Sequence, residues 1–200
     1  MTKTGEPESP EAPIPEQPTL GEMRVVVKVS LWAALIAAGG WISIPLPFIG
    51  VPLTLQTFFV LSAGLLEGPL IGALASVLYL TAGLAGLPVF AGGLAGPAII
   101  FKPSAGFALA FPLVGAIGGL AFKRCKSTGR SSLVLAFTFS VLGNILVLYL
   151  FGFLGFMLNT KMNPAAAAKL LLTFIPGDLL KCLAASYLAS SRWKKRQGLA

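Results

Sequence analysis

The chain has 200 residues, of which 56% are hydrophobic and only 11% charged, with a formal net charge of +8 and a mean hydropathy of +0.85. Soluble domains run to about 45–50% apolar and about 25% charged residues, so the composition excludes a soluble globule and points to a polytopic membrane protein. There is no histidine, and beyond Glu22 the only carboxylates are Glu67 and Asp178, which leaves nothing from which to build a metal cluster or a nucleophile–base constellation; the chain is expected to be no enzyme and to need no cofactor.

Residues 1–22 hold five prolines and five glutamates, a composition that cannot bury enough surface to offset chain entropy, and are expected to form a disordered tail. The acidic character ahead of the first apolar run argues against a signal peptide. That run, 25–44, is long enough for about 30 Å of hydrocarbon and ends at Pro45-Leu46-Pro47. A charge-free, proline-punctuated loop follows, then a second, short helix over 53–66, broken by Glu67-Gly68-Pro69. The third helix, 69–86, carries Gly72, Ala73, Ala75, Ser76, Ala82 and Gly83, small residues that let membrane helices approach closely.

The stretch 87–102 (LPVFAGGLAGPAIIFK) is apolar but interrupted by glycine and proline, and reads as a loop. A fourth helix is expected over 104–122, a basic loop (KRCKSTGR) over 123–130, and a fifth helix over 132–157. The next apolar stretch, 164–191, would measure about 42 Å as one helix, more than the hydrocarbon thickness. Pro176-Gly177 is the natural break, giving a short interfacial helix over 164–174 and a sixth membrane helix over 177–192. A membrane domain of six helices over 23–192 and a basic tail over 193–200 result.

The basic residues sit in short clusters between apolar runs rather than along one polar face, so membrane topology explains them better than nucleic acid does. With the N-terminus inside, eleven of them (Lys3, Arg24, Lys28, Lys123, Arg124, Lys126, Arg130, Arg192, Lys194, Lys195, Arg196) fall inside and three (Lys102, Lys161, Lys169) outside. Both termini are therefore expected in the cytoplasm, and the proline and glycine loops outside. Cys125 and Cys182 are distant in sequence and lack any C-x-x-C spacing, so neither a disulfide nor a metal role is expected of them.

Asp178 and Lys181 are opposite charges three residues apart at the start of an apolar helix. Ionisable groups at membrane depth are costly and mark substrate or ion pathways; a structural i,i+3 pair is the alternative. Side chains at this spacing address the same end of a small molecule, and a carboxylate beside an ammonium suits a cyclic urea or amide. Thr54, Gln56, Tyr79, Phe90 and Phe101 are placed to complete such a site, though each could equally be packing. Asn144, mid-helix, is expected to bond between helices. Ala33, Ala34, Ala37 and Ala38, followed by Gly39, form two overlapping small-xxx-small patterns, a flat face for another helix of this chain or of a partner. No glycine loop precedes Cys125-Lys126-Ser127, so the chain has no P-loop for ATP.

With these residues in view, the sequence resembles the BioY family, the biotin-binding membrane subunits, or S components, of energy-coupling factor transporters. The matching stretches are IPLPFIGVPLTLQTFFVLSAGLLEGP at 44–69, GLPVFAGG at 86–93, KPSAGF at 102–107 and IPGDLLK at 175–181, in the family's order and spacing across 25–192. The resemblance implies a six-helix bundle in the plasma membrane, capture of biotin from the outer face, and delivery with a transmembrane coupling protein and two ATPases; some family members are thought to work without a dedicated module. It makes Asp178 and Lys181 biotin ligands, and the small-residue face of the first helix the dock for the coupling protein. It departs in the outer loop. Family loops commonly continue through G-G-x-G-G to G-P-T-G-G, where this chain has Gly92-Gly93-Leu94-Ala95-Gly96 and Lys102-Pro103-Ser104-Ala105-Gly106. Lys102, the single charge on that loop, is expected to meet the substrate's carboxylate. An S component for another vitamin, or a structural membrane protein in which Asp178 and Lys181 merely pair, are the alternatives.

Overall fold

The structure, a computed structural model, describes residues 19–46, 50–128 and 132–196. Most of the tail expected to be disordered, residues 1–18, lies outside the described residues, but its last residues are helical. Helix α1 (Leu20–Trp41) starts ahead of the apolar run because Thr19 and Glu22 form a capping box. The Glu22 N–H donates to Thr19 Oγ1 at 3.3 Å and the Thr19 N–H to Glu22 Oε2 at 2.7 Å, satisfying two donors that the helix end would leave bare.

The expected all-α architecture holds except at the first proline loop. There β1 (Ser43–Ile44) pairs antiparallel with β2 (Leu53–Thr54), Ser43 opposite Thr54 and Ile44 opposite Leu53. Pro45 and Pro52 flank the loop and favour extended backbone. The Leu55 N–H bonds to the carbonyls of Gly39 at 3.1 Å and Ile42 at 3.2 Å, so α2 (Gln56–Glu67) begins against the end of α1, later than the apolar pattern implies. Gly68, at φ 101°, turns the chain into α3 (Pro69–Leu84), with the proline where a missing N–H costs nothing.

The expected loop over 87–102 contains two short 3₁₀ turns, Ala91–Gly93 and Pro97–Phe101. Helix α4 (Ala105–Thr128) then runs through most of the segment expected as a basic loop. Cys125 is buried in the main core and gives that segment an inward face. Helix α5 (Leu133–Leu142), a π-helical segment (Gly143–Leu148) and α6 (Tyr149–Thr160) form one rod, and α7 (Pro164–Leu172) is short, as expected. Helix α8 (Ile175–Arg196) starts two residues before the expected point, since Pro176 is tolerated in a first turn, and extends into the expected basic tail, where Trp193 packs on Phe122 with ring centroids 6.4 Å apart. Residues 197–200 lie outside the described residues.

Among the described residues three helical stretches, not six, are long and apolar enough by themselves to cross a membrane: Leu20–Trp41, Ala105–Cys125 and Leu133–Thr160. The 12 residues of α2 measure about 18 Å, α3 is a shorter apolar helix, and α8 carries charge at both ends.

The core is continuous through the bundle, from Trp32 and Ile36 of α1 across Val60, Leu61 and Leu65 of α2 to Phe111 and Val114 of α4 and Ala185 and Ala189 of α8. Helices α2, α3 and α4 meet backbone to backbone: a Cβ on Gly72 would stand 2.8 Å from the Gly115 carbonyl oxygen, and one on Gly115 would stand 2.7 Å from that of Gly72. Only glycine permits that approach. A smaller cluster of Val51, Phe156, Ala167, Leu171 and Phe174 seats α7 and the proline loop over one end of the bundle. Large apolar side chains such as Leu31, Leu70, Leu146, Leu158 and Leu180 stay exposed on the outside, a surface suited to lipid rather than water.

Candidate functional site

The capped end of the bundle encloses a cavity of about 590 Å³, counting its open mouth. Its walls come from segments far apart in sequence: Val51 to Thr54 of the proline loop and β2, Gln56 and Thr57 opening α2, Tyr79 of α3, Phe90 and Ile99 of the interrupted loop, Phe107 and Phe111 of α4, and Asp178 and Lys181 of α8. The lining, mainly apolar with a few convergent polar groups, is that of a small-molecule site.

Asp178 and Lys181 are 7% and 8% exposed, and Lys181 Nζ lies 2.8 Å from Asp178 Oδ1. Their position follows from the start of α8, where the first-turn carboxylate sits at the positive end of the helix dipole and Lys181 stands one turn further on, on the same face. Lys181 also reaches Thr57 Oγ1 at 3.4 Å, and the second carboxylate oxygen, Oδ2, accepts from the Tyr149 hydroxyl at 2.9 Å. A buried ion pair is sustainable only when its remaining hydrogen-bonding capacity is met in this way.

Across the cavity a polar chain connects three of the expected residues. The Thr54 hydroxyl donates to Gln56 Oε1 at 3.3 Å, and Gln56 Nε2 donates to the Tyr79 hydroxyl at 2.5 Å. Tyr79 accepts there, which leaves its own proton to be offered elsewhere. Its ring meets Phe90 edge-on at 5.6 Å between centroids and lies tilted on Phe111 at 6.0 Å, so one side chain belongs to both the apolar wall and the polar chain.

Two residues of the interrupted loop fall elsewhere. Lys102 and Phe101 are exposed and outside the lining, and the Lys102 carbonyl accepts from Asn159 Nδ2 at 3.0 Å. The lining contacts of Thr57, Phe107, Phe111 and Phe174, and the bond from Tyr149, are additions that the sequence did not single out. Asn144 bonds between helices as expected, donating to Cys182 Sγ at 2.8 Å; Cys125 and Cys182 are both buried and are not joined in a disulfide. The alanines of α1 do not form one face. Ala33 is buried and Ala37 half-buried, whereas Ala34 and Ala38 are exposed beside Leu31 and Trp41, because residues one apart on a helix point about 100° from each other.

The model of the family described as BioY matches residues 12–198. The chain belongs to the BioY family. It is 38% identical over 177 residues to the biotin transporter BioY of Rhodobacter capsulatus, covering 83% of this chain and 91% of that protein. It is 36% identical over 169 residues to the biotin transporter BioY of Rhizobium etli, covering 82% and 90%. Among solved structures it resembles the S-component for biotin from an ECF-type ABC transporter, with a TM-score of 0.80 and 25% identity, over 90% of this chain and 95% of that one. The fold is thus that of an S component.

Proposed function

We propose that this BioY-family protein is the biotin-binding subunit of a membrane transporter, with the substrate held in the cavity between the outer loops and the starts of α2 and α8. The enclosed Asp178–Lys181 pair carries the reading. Biotin's ureido ring presents N–H donors beside a carbonyl acceptor, the complement of a carboxylate beside an ammonium held on one helix face. Tyr79, its hydroxyl already accepting from Gln56, adds a second donor for a ligand oxygen, and Thr54 fixes the orientation of Gln56. Phe90, Phe107 and Phe111 suit the apolar ring and tail. No bond of the substrate is made or broken.

In this reading α1, α2, α3, α4, the α5–α6 rod and α8 all cross the plasma membrane, and α7 lies at its outer surface. Burial of the polar faces of α2 and α8 inside the bundle lets short or charged helices count as spans, since their neighbours supply what lipid cannot. Exposed Lys123, Arg124, Arg192, Lys194 and Lys195 gather at the helix ends remote from the cavity, which supports cytoplasmic termini and a cavity that opens outward. Lys102, three residues beyond the lining residue Ile99, is proposed to meet the substrate's carboxylate where the tail leaves the cavity. A transmembrane coupling protein and ATPases are the proposed partners, with α1 as the docking helix through Ala34 and Ala38; Ala33 and Ala37 pack inward.

The test is direct binding to purified protein. Asp178→Asn and Lys181→Ala should each weaken biotin at least tenfold while the protein stays folded; unchanged affinity in both returns the pair to a structural role. A panel of other vitamins separates this reading from an S component of different specificity, which would bind one of them in preference to biotin.

A further inference from the structure

Three side chains of the α5–α6 rod meet three of α8 in an antiparallel ladder. Ser140 Oγ lies 3.2 Å from Ser186 Oγ, Asn144 Nδ2 donates to Cys182 Sγ at 2.8 Å, and the Tyr149 hydroxyl donates to Asp178 Oδ2 at 2.9 Å. On α8 the rungs are four residues apart throughout, as one face of an α-helix requires. On the rod the first step is four residues and the second is five. Five residues of α-helix turn the chain through about 500°, which would leave residue 149 about 140° away from the face that carries residue 144. The π-helical segment absorbs the extra residue. The Tyr149 N–H donates to the Asn144 carbonyl, five residues back, and the hydroxyl arrives at Asp178.

We infer that Tyr149 is a positioning residue for substrate binding, and that the π-turn serves to aim it at Asp178. The inference rests on the reading of Asp178 as a ligand group. Asp178 lines the main cavity and also a small cleft on its other side, where Tyr149, Asn144 and Cys182 lie; Tyr149 lines only the cleft. The carboxylate is therefore the partition between the two, and Tyr149 holds it from behind without touching what the main cavity contains. Lys181 rides on α8 with Asp178, and its tie to α2 is the long 3.4 Å contact with Thr57 Oγ1. Tyr149, anchored on a separate rod, holds Asp178 Oδ2 directly at 2.9 Å. When Lys181 turns its ammonium to a substrate carbonyl, the tyrosine O–H stays on Oδ2 and keeps the buried charge compensated.

Asp178 is the single aspartate of the sequence, so cell-free synthesis with carboxyl-labelled aspartate gives a protein with one labelled aspartate carboxylate band in the infrared. Tyr149→Phe should shift that band without ligand, raise the Kd for biotin about tenfold, and raise it less than twofold when added to Asp178→Asn. Incorporation of 3-fluorotyrosine at 149, which keeps the hydroxyl and the shape, should retain the affinity and also move the band. If Tyr149→Phe does not fold, an unmoved band in the fluorinated protein overturns the inference. Parental affinity in Tyr149→Phe, or an equal loss in both backgrounds, also overturns it. Parental affinity in Asp178→Asn overturns the reading of Asp178 itself, a separate failure visible in a separate protein.

Discussion

Gly83 of α3 lies against the ring of Phe90: a Cβ at Gly83 would overlap Cζ and Cε2 of that ring. The Gly96 N–H also donates to the Gly83 carbonyl at 2.8 Å, fastening the interrupted loop to α3 at the same point. Phe90 is 1% exposed and lines the cavity, so the missing side chain at residue 83 sets how far the ring stands back from the cavity. Gly83→Ala should push Phe90 into the cavity and weaken biotin binding about tenfold, with a loss of stability of about 1–3 kcal/mol from overpacking. Calorimetric titration beside thermal unfolding checks this; parental affinity would mean that the ring has room to retreat.

Lys102 is exposed on the loop that ends in lining residue Ser104, and an exposed ammonium meeting a carboxylate contributes about 0.2–1 kcal/mol. Lys102→Ala should accordingly weaken biotin about 1.4- to fivefold and leave a carboxyl-blocked biotin unaffected. If the two ligands respond alike, the carboxylate is recognised by some other group.

Gly115 of α4 packs against the backbone of Gly72 in α3, where a Cβ would stand 2.7 Å from the Gly72 carbonyl oxygen. A leucine there must separate the helices, and the cavity depends on their spacing because Tyr79 comes from α3 and Phe111 from α4. Gly115→Leu should cost at least about 3 kcal/mol. The melting temperature of the detergent-solubilised protein should fall by about 6–12 °C, and biotin capture should fall with it. A thermal midpoint within a degree of the parent would show that the contact is not a tight one.

How much of the candidate site could be read in advance depends on the residue. Asp178 and Lys181 were legible because a charge in an apolar run contradicts its surroundings and calls for a partner. Gln56 and Thr54 stood out in the same way. Thr57 and the wall of Phe107, Phe111 and Phe174 were not legible, since an apolar ring in an apolar helix carries no sign of whether it faces lipid, core or cavity. Tyr149 was hidden for a stronger reason: an α-helical reading turns residue 149 away from the face of Asn144, and only the π-turn brings it round.

The helix boundaries divide similarly. Gly68-Pro69 was legible as the α2–α3 turn, because breakers act on their immediate neighbours; the Thr19–Glu22 cap that starts α1 was hidden, since it lies in a stretch whose composition reads as a disordered tail. The continuation of α4 past Phe122 and of α8 past Arg192 depends on the buried contacts of Cys125 and Trp193, which exist only once the bundle has formed. Composition and local pattern by themselves determined a helical membrane protein with its charged pair at the head of the last helix, since each of those properties belongs to a short stretch of chain. Packing between distant segments decided which faces became cavity, which of the α1 alanines stayed outside, and how Asp178 is held, because those depend on how neighbouring helices turn toward one another.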